Sequence, residues 1–146
     1  MTKERKTLKE FSILILVLAA ISLVRLVLDA CMVGFDAASL EIEGASETLI
    51  KVSLIITFVL ALLLLIPDVY VGIMGIKEAN NPTGAKAYIV IALIITILYA
   101  IASVSSIVDI CKGFNFSKLA ELSNEVLNAA IFFLFYIQAK KVSANK

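Results

Sequence analysis

The sequence predicts an all-α integral membrane protein, a bundle of four spanning helices running up-down-up-down in one domain over residues 1–146. Three observations predict it. Hydrophobic residues make up 61% of the 146 positions, well above the roughly 45–50% usual in soluble domains. Apolar runs near the ~20 residues that cross ~30 Å of hydrocarbon recur four times, at 11–33, 49–76, 87–111 and 119–139. Lysine and arginine, finally, gather on alternate sides of those runs.

The first span follows Lys3, Arg5, Lys6 and Lys9 and carries Arg25 and Asp29 within its apolar stretch. A basic start, an apolar run and "LDAC" at Leu28–Cys31 together imitate a cleaved signal. Arg25 interrupts the approach to that site, and Asp29 stands where such boxes hold a small uncharged residue. A retained span is therefore the expectation. The second span contains Pro67, which withdraws a backbone donor, followed at once by Asp68. It ends at "NNPTG", Asn80–Gly84, whose turn chemistry predicts a tight hairpin into the third span. The fourth span is the shortest in apolar character, because Glu121, Glu125 and Asn128 occupy its first half.

Charge placement predicts orientation. Lys77, Lys86, Lys140, Lys141 and Lys146 lie on the same side as the basic N-terminus, and only Lys51, Lys112 and Lys118 lie on the other. Both termini and the 78–85 loop are expected in the cytoplasm, with Asp36, Glu41, Glu43 and Glu47 outside. Tyr88 and Tyr136 are expected as aromatic anchors at the cytoplasmic interface.

An internal echo links two helix ends: "DACMVGFD" closes the first span and "DICKGFN" the third. Two tandem helical hairpins would produce it. So would convergent helix stops, in which Gly34 and Gly113 serve as left-handed caps beside Phe35 and Phe114.

A stripe of mainly polar and small residues recurs at steps of three and four in every span: Ser22, Arg25 and Asp29; then Ser53, Thr57, Ala61, Leu64, Asp68, Gly72 and Gly75; then Ala92, Thr96, Tyr99, Ser103 and Ser106; then Glu121, Glu125, Asn128 and Phe132. Such stripes face inward when lipid surrounds the bundle, and Gly72 and Gly75 permit close helix contact. Arg25 and Asp29 can pair as i and i+4. At 1.5 Å per residue, Arg25 lies about 22 Å above Glu10 and Glu125 about 21 Å above Ala139, so Glu125 is the expected cross-bundle partner of Arg25. Arg25, Asp29, Asp109, Glu125 and Asn128 thus form the expected polar core. Asp68 stands apart, without a basic residue at its depth, and is the candidate ion or proton site. Cys31 and Cys111 are expected at similar height, which permits a disulfide in an oxidising exterior.

The stretch "YVGIMGIKEANNP", Tyr70–Pro82, in which a glycine-containing helix end runs into a polar turn, resembles that of small four-span (tetraspan) bacterial integral membrane proteins. The resemblance implies a bacterial cytoplasmic membrane and no activity. Small multidrug transporters also have four spans, but their lone first-helix glutamate is replaced here by Arg25 and Asp29.

With no histidine, no nucleotide loop and no nucleophile beside a base, neither an enzyme nor a bound cofactor or metal is expected. A net charge of +1 offers nothing to nucleic acid. The expected partners are the lipid bilayer and further copies or a larger membrane complex. Of the function classes left, a noncatalytic structural or accessory membrane protein ranks first. A small oligomeric transporter or channel, using Asp68 or the Arg25/Asp29/Glu125 cluster, is the alternative.

Overall fold

The computed structural model describes residues 1–33 and 46–145. Asp36, Glu41 and Glu43 of the acidic loop, and Gly34 and Phe35 of the first echo, lie outside the described residues. The described chain forms four helices: α1 Lys3–Val33, α2 Glu47–Asn80, α3 Ala87–Lys112 and α4 Phe116–Ala144. All four are long and apolar enough to cross a membrane. At 26 to 34 residues each is about 39–51 Å long, more than a ~30 Å hydrocarbon core requires. Every helix except α3 runs several residues past its apolar stretch. Lysine and glutamate are good helix formers, and Ser46 and Asn115 place the N-caps of α2 and α4 upstream of the apolar runs, accepting from the Leu49 and Ser117 amides at 3.2 and 3.1 Å.

Successive helices are antiparallel. Gly72 of α2 lies against Leu16 and Ser12 of α1, while Tyr99 and Ser106 of α3 meet Phe132 and Glu125 of α4. The broadest contacts are α1 on α2 and α3 on α4; α4 also closes against α1, and the α2–α3 seam is the narrowest of the four. The helices thus stand in a ring, with α1 and α3 diagonal.

Burial is uneven along the bundle. Apart from Ile50, Ser103 and Asn128, the buried residues lie toward the end that holds both termini and the α2–α3 connection. There Leu8, Ile15, Val71, Ala79, Tyr88, Ala92, Phe132, Phe135 and Ala139 form one core. Gly75 lets α1 and α4 approach α2, since a Cβ at that position would collide with Ser12 and with the Phe135 ring. Tyr88 sits edge-to-face on Phe135, with centroids 6.0 Å apart, and is only 1% exposed. It is a core residue, not the interface anchor expected from its position beside Lys86.

Toward the other end the helices separate. Ala19 is the last buried residue of α1, and Ile21, Val24, Val27 and Leu28 all face outward. Ser53 and Thr57, on the expected inner stripe of α2, are exposed as well. Large apolar side chains cover the outer faces of all four helices, as lipid contact requires.

The α2–α3 connection is held by a carboxylate. Glu78, 2% exposed, accepts from the Thr83 and Gly84 amides at 3.0 and 3.1 Å and from the Thr83 hydroxyl. Gly84 adopts φ 78°, the left-handed region open to glycine. Arg5 reaches from α1 to donate to the Ala79 carbonyl at 2.7 Å and to that of Asn80, satisfying two orphan carbonyls at the end of α2. Gln138 of α4 donates to the Glu4 carbonyl at 2.9 Å. The end bearing the termini is therefore tied by hydrogen bonds across three helices.

Candidate functional site

The polar residues of the spans lie apart from one another, and the single expected core does not assemble. Arg25 and Asp29 pair with each other at 3.8 Å on the outward face of α1, their side chains 75% and 64% exposed. Asp109 pairs at 3.7 Å with Lys112, also at the surface. The physical reason is that no described residue of α1 beyond Ala19 is buried: α1 still lies along α2 there, with Leu23 near Leu62 and Leu65, and the face carrying Arg25 and Asp29 is turned outward. A 3.6-residue stripe specifies a face, and equal height on two helices does not by itself bring those faces together.

Glu125, the expected partner of Arg25, instead accepts a hydrogen bond from the Ser106 hydroxyl at 2.6 Å. This short, charge-assisted bond joins α4 to α3. Asn128, one turn deeper and buried, donates to the Asn124 carbonyl at 2.8 Å and remains within its own helix. Ser103 and Thr96 likewise return their hydroxyls to the carbonyls of Tyr99 and Ala92, which removes the cost of burying them. Cys31 and Cys111 are free, exposed thiols, on the diagonal helices α1 and α3. The echoed helix end does not cap as expected either: Gly113 is extended at φ 178°, with its amide bonded to the Ile110 carbonyl at 3.2 Å.

Asp68 is different. It is 9% exposed, and among the described residues no hydrogen-bond donor or cation meets its carboxylate. It lies just above the closed core, on the wall of a cavity of about 360 Å³ between α2 and α3. Leu64, Pro67, Ile95, Leu98 and Ala102 supply the apolar part of that wall, and Tyr99 the other polar group. The volume falls at the lower end of the range of small-ligand pockets, and is several times that of a water molecule. Tyr99 stacks on Phe132 with centroids 6.0 Å apart. The cavity thus brings an unpaired carboxylate on α2 and a phenol on α3 together, with the hydrogen-bonded Glu125 about 10 Å further along the bundle, opposite Ser106. No lysine or arginine lines the cavity.

Chemically, such a cavity favours positive charge. The Asp68 oxygens keep some accessible surface, since no fully buried side-chain oxygen of the described residues lacks a partner; a carboxylate open only to so apolar a cavity and without a donor is stabilised by taking up a proton or a cation, and an aromatic face or phenol oxygen beside it adds a weak cation contact. Among the described residues no three His, Cys, Asp or Glu side chains gather closely enough to hold a metal ion. Asp68 was legible from its isolation in the sequence. The Ser106–Glu125 bond was not, although both residues stand on the predicted inner stripes. Glu78, two residues before "NNPTG", was overlooked. An acid placed just before a turn rich in free amides was the available signal.

Comparison of the chain with protein-family models, with curated proteins and with solved structures finds no match.

Proposed function

We propose that this multi-pass membrane protein is a small transporter or channel of a bacterial cytoplasmic membrane, in which Asp68 exchanges a proton or another cation with the cavity between α2 and α3. One observation carries the reading: Asp68 is nine-tenths buried, has no partner among the described residues and lines a cavity. A carboxylate kept only for structure would be expected to have a donor, as Glu78 and Glu125 do. The exposure of the Arg25–Asp29 pair supports the same ranking, since a lock between helices would be buried between them. The cavity opens along the narrowest helix seam, so a continuous path needs a second copy of the chain against α2 and α3. Both termini in the cytoplasm is the orientation supported by the lysines at the closed end. A cysteine introduced at Ser143 that reacts with an impermeant maleimide on intact cells would reverse it.

The experiment is proton flux into liposomes carrying the purified protein, driven by a potassium diffusion potential and read with an enclosed pH dye. Flux should be lost in Asp68→Asn and retained in Asp68→Glu. Asp68→Asn should also unfold no more easily than the parent in detergent, because the substitution relieves an unpaired buried carboxylate. The alternative, a noncatalytic structural or accessory protein, is favoured by the narrow α2–α3 seam, which leaves room for a partner's helix. Absent flux in the parent protein, or unaltered flux in Asp68→Asn, would overturn proton exchange at Asp68, and absence of flux with sodium or potassium as the only permeant cation as well would favour that alternative over transport.

A further inference from the structure

A second cavity, of about 320 Å³, opens between the start of α3 and the end of α4, and it differs in character from the Asp68 site. Four residues that carry donor groups line it: Lys86, Lys140, Tyr136 and Ser143. Ile89, Val90 and Leu93 form its wall along α3. No acidic side chain lines it, and none of the four donors has an ion pair or a side-chain hydrogen bond within the described protein. Some other cations find acceptors, Arg5 and Lys9 at the end of α2 and Lys118 at the carbonyls of Asp109 and Gly113, whereas Lys3, Lys6, Lys51, Lys77 and Lys141, like Lys86 and Lys140, have no side-chain partner among the described residues; what sets Lys86 and Lys140 apart is that they line one cavity together. The 26-residue α3 begins at Lys86 without a side-chain cap, so the positive end of its dipole also points toward this rim.

The position of the cavity decides the class of ligand. Lys86 immediately precedes the apolar run of α3, and Lys140 immediately follows that of α4, so the rim lies where hydrocarbon gives way to headgroups. Donors above an apolar wall match a molecule with an anionic head and a hydrocarbon tail. We infer that the groove between α3 and α4 binds one anionic phospholipid, its phosphate held among Lys86, Lys140, Tyr136 and Ser143 and an acyl chain lying along Ile89, Val90 and Leu93. This site neither depends on Asp68 nor faces its cavity.

The test uses the full chain reconstituted in phosphatidylcholine vesicles, with spin-labelled phosphatidylglycerol or phosphatidylcholine as the probe and electron paramagnetic resonance reading the fraction of lipid held at the protein. Phosphatidylglycerol should associate more strongly than phosphatidylcholine. With about a fivefold contribution from each lysine near the surface, Lys86→Ala with Lys140→Ala should weaken the preference about thirtyfold. Lys86→Arg with Lys140→Arg should retain most of it, and Lys77→Ala with Lys141→Ala, at the same end of the bundle, should leave it nearly unchanged. Equal association of the two lipids would overturn the inference. So would equal losses in the two alanine pairs, which would indicate diffuse surface charge, or displacement of the lipid by millimolar inorganic phosphate, which would indicate a free-phosphate site. Circular dichroism of each variant separates loss of binding from loss of fold.

Discussion

Replacing Gly75 by alanine adds a single methyl group at the point where three helices meet. A Cβ on that backbone would stand 2.6 and 2.9 Å from Cε2 and Cζ of Phe135 and closer still to the Ser12 hydroxyl. Neither neighbour yields readily. Phe135 is wholly buried beneath Tyr88, and Ser12, also wholly buried, donates to the Leu8 carbonyl at 2.6 Å. Overpacking of a core costs about 1–3 kcal/mol, and three contacts below 3.0 Å against immobile atoms place this one near 3. Alanine returns about 1 kcal/mol of helix propensity. The net loss is about 2 kcal/mol, a shift of about thirtyfold in the ratio of folded to unfolded protein. Gly72→Ala should cost less, because its nearest atoms, Leu16 Cγ and Cδ2 at 2.6 and 2.7 Å, belong to a half-buried side chain bordering an open groove. Gly113→Ala should cost nothing, having no atom within 4 Å and an extended φ of 178°. The assay is unfolding by dodecyl sulfate titration in mild detergent, followed by circular dichroism. The expected order of stability is Gly113→Ala, then Gly72→Ala, then Gly75→Ala. Equal midpoints for Gly75→Ala and Gly113→Ala would refute the packing of α1, α2 and α4 described above.

Two further outcomes test the polar contacts by the same titration. Glu78→Gln replaces a carboxylate that receives three donors from Thr83 and Gly84 with an amide that turns a donor toward one of them; a loss of about 2 kcal/mol is expected, together with faster proteolysis of the α2–α3 connection, and an unchanged midpoint would show that the turn holds without it. Arg25→Leu and Glu125→Leu should be additive to within about 0.5 kcal/mol, because the two residues do not meet, whereas Ser106→Ala and Glu125→Leu should show a coupling of about 1 kcal/mol or more through their 2.6 Å bond; the reverse pattern would restore Arg25 to the bundle interior.

How much could be read without coordinates follows from which forces act locally. The four spans were legible because hydrocarbon demands continuous apolar length and internally satisfied backbone, and both are properties of consecutive residues. The turn at Asn80–Gly84 was legible for the same reason: proline and glycine restrict the chain where they stand. The stripe Asp68, Gly72 and Gly75 was legible as a face, and the closed end of the bundle buries it. What this face meets is a different kind of quantity. Arg25 and Glu125 share a height and opposite charge, yet no described residue of α1 beyond Ala19 is buried, and the arginine pairs along its own helix while the glutamate bonds to Ser106. Tyr88 lies two residues from a lysine at a helix start and nevertheless packs edge-to-face against Phe135 in the core. The sequence by itself determined the four apolar helices and the isolation of Asp68, though not how far α1, α2 and α4 run beyond their apolar stretches, because helix periodicity and apolar length are carried by residues close together in the chain. Only the tertiary structure decided that the bundle closes at one end and opens at the other, leaving Asp68 buried at a cavity and Lys86 beside Lys140, because the tilt of packed helices is set by side chains tens of residues apart, such as Ser12, Gly75 and Phe135.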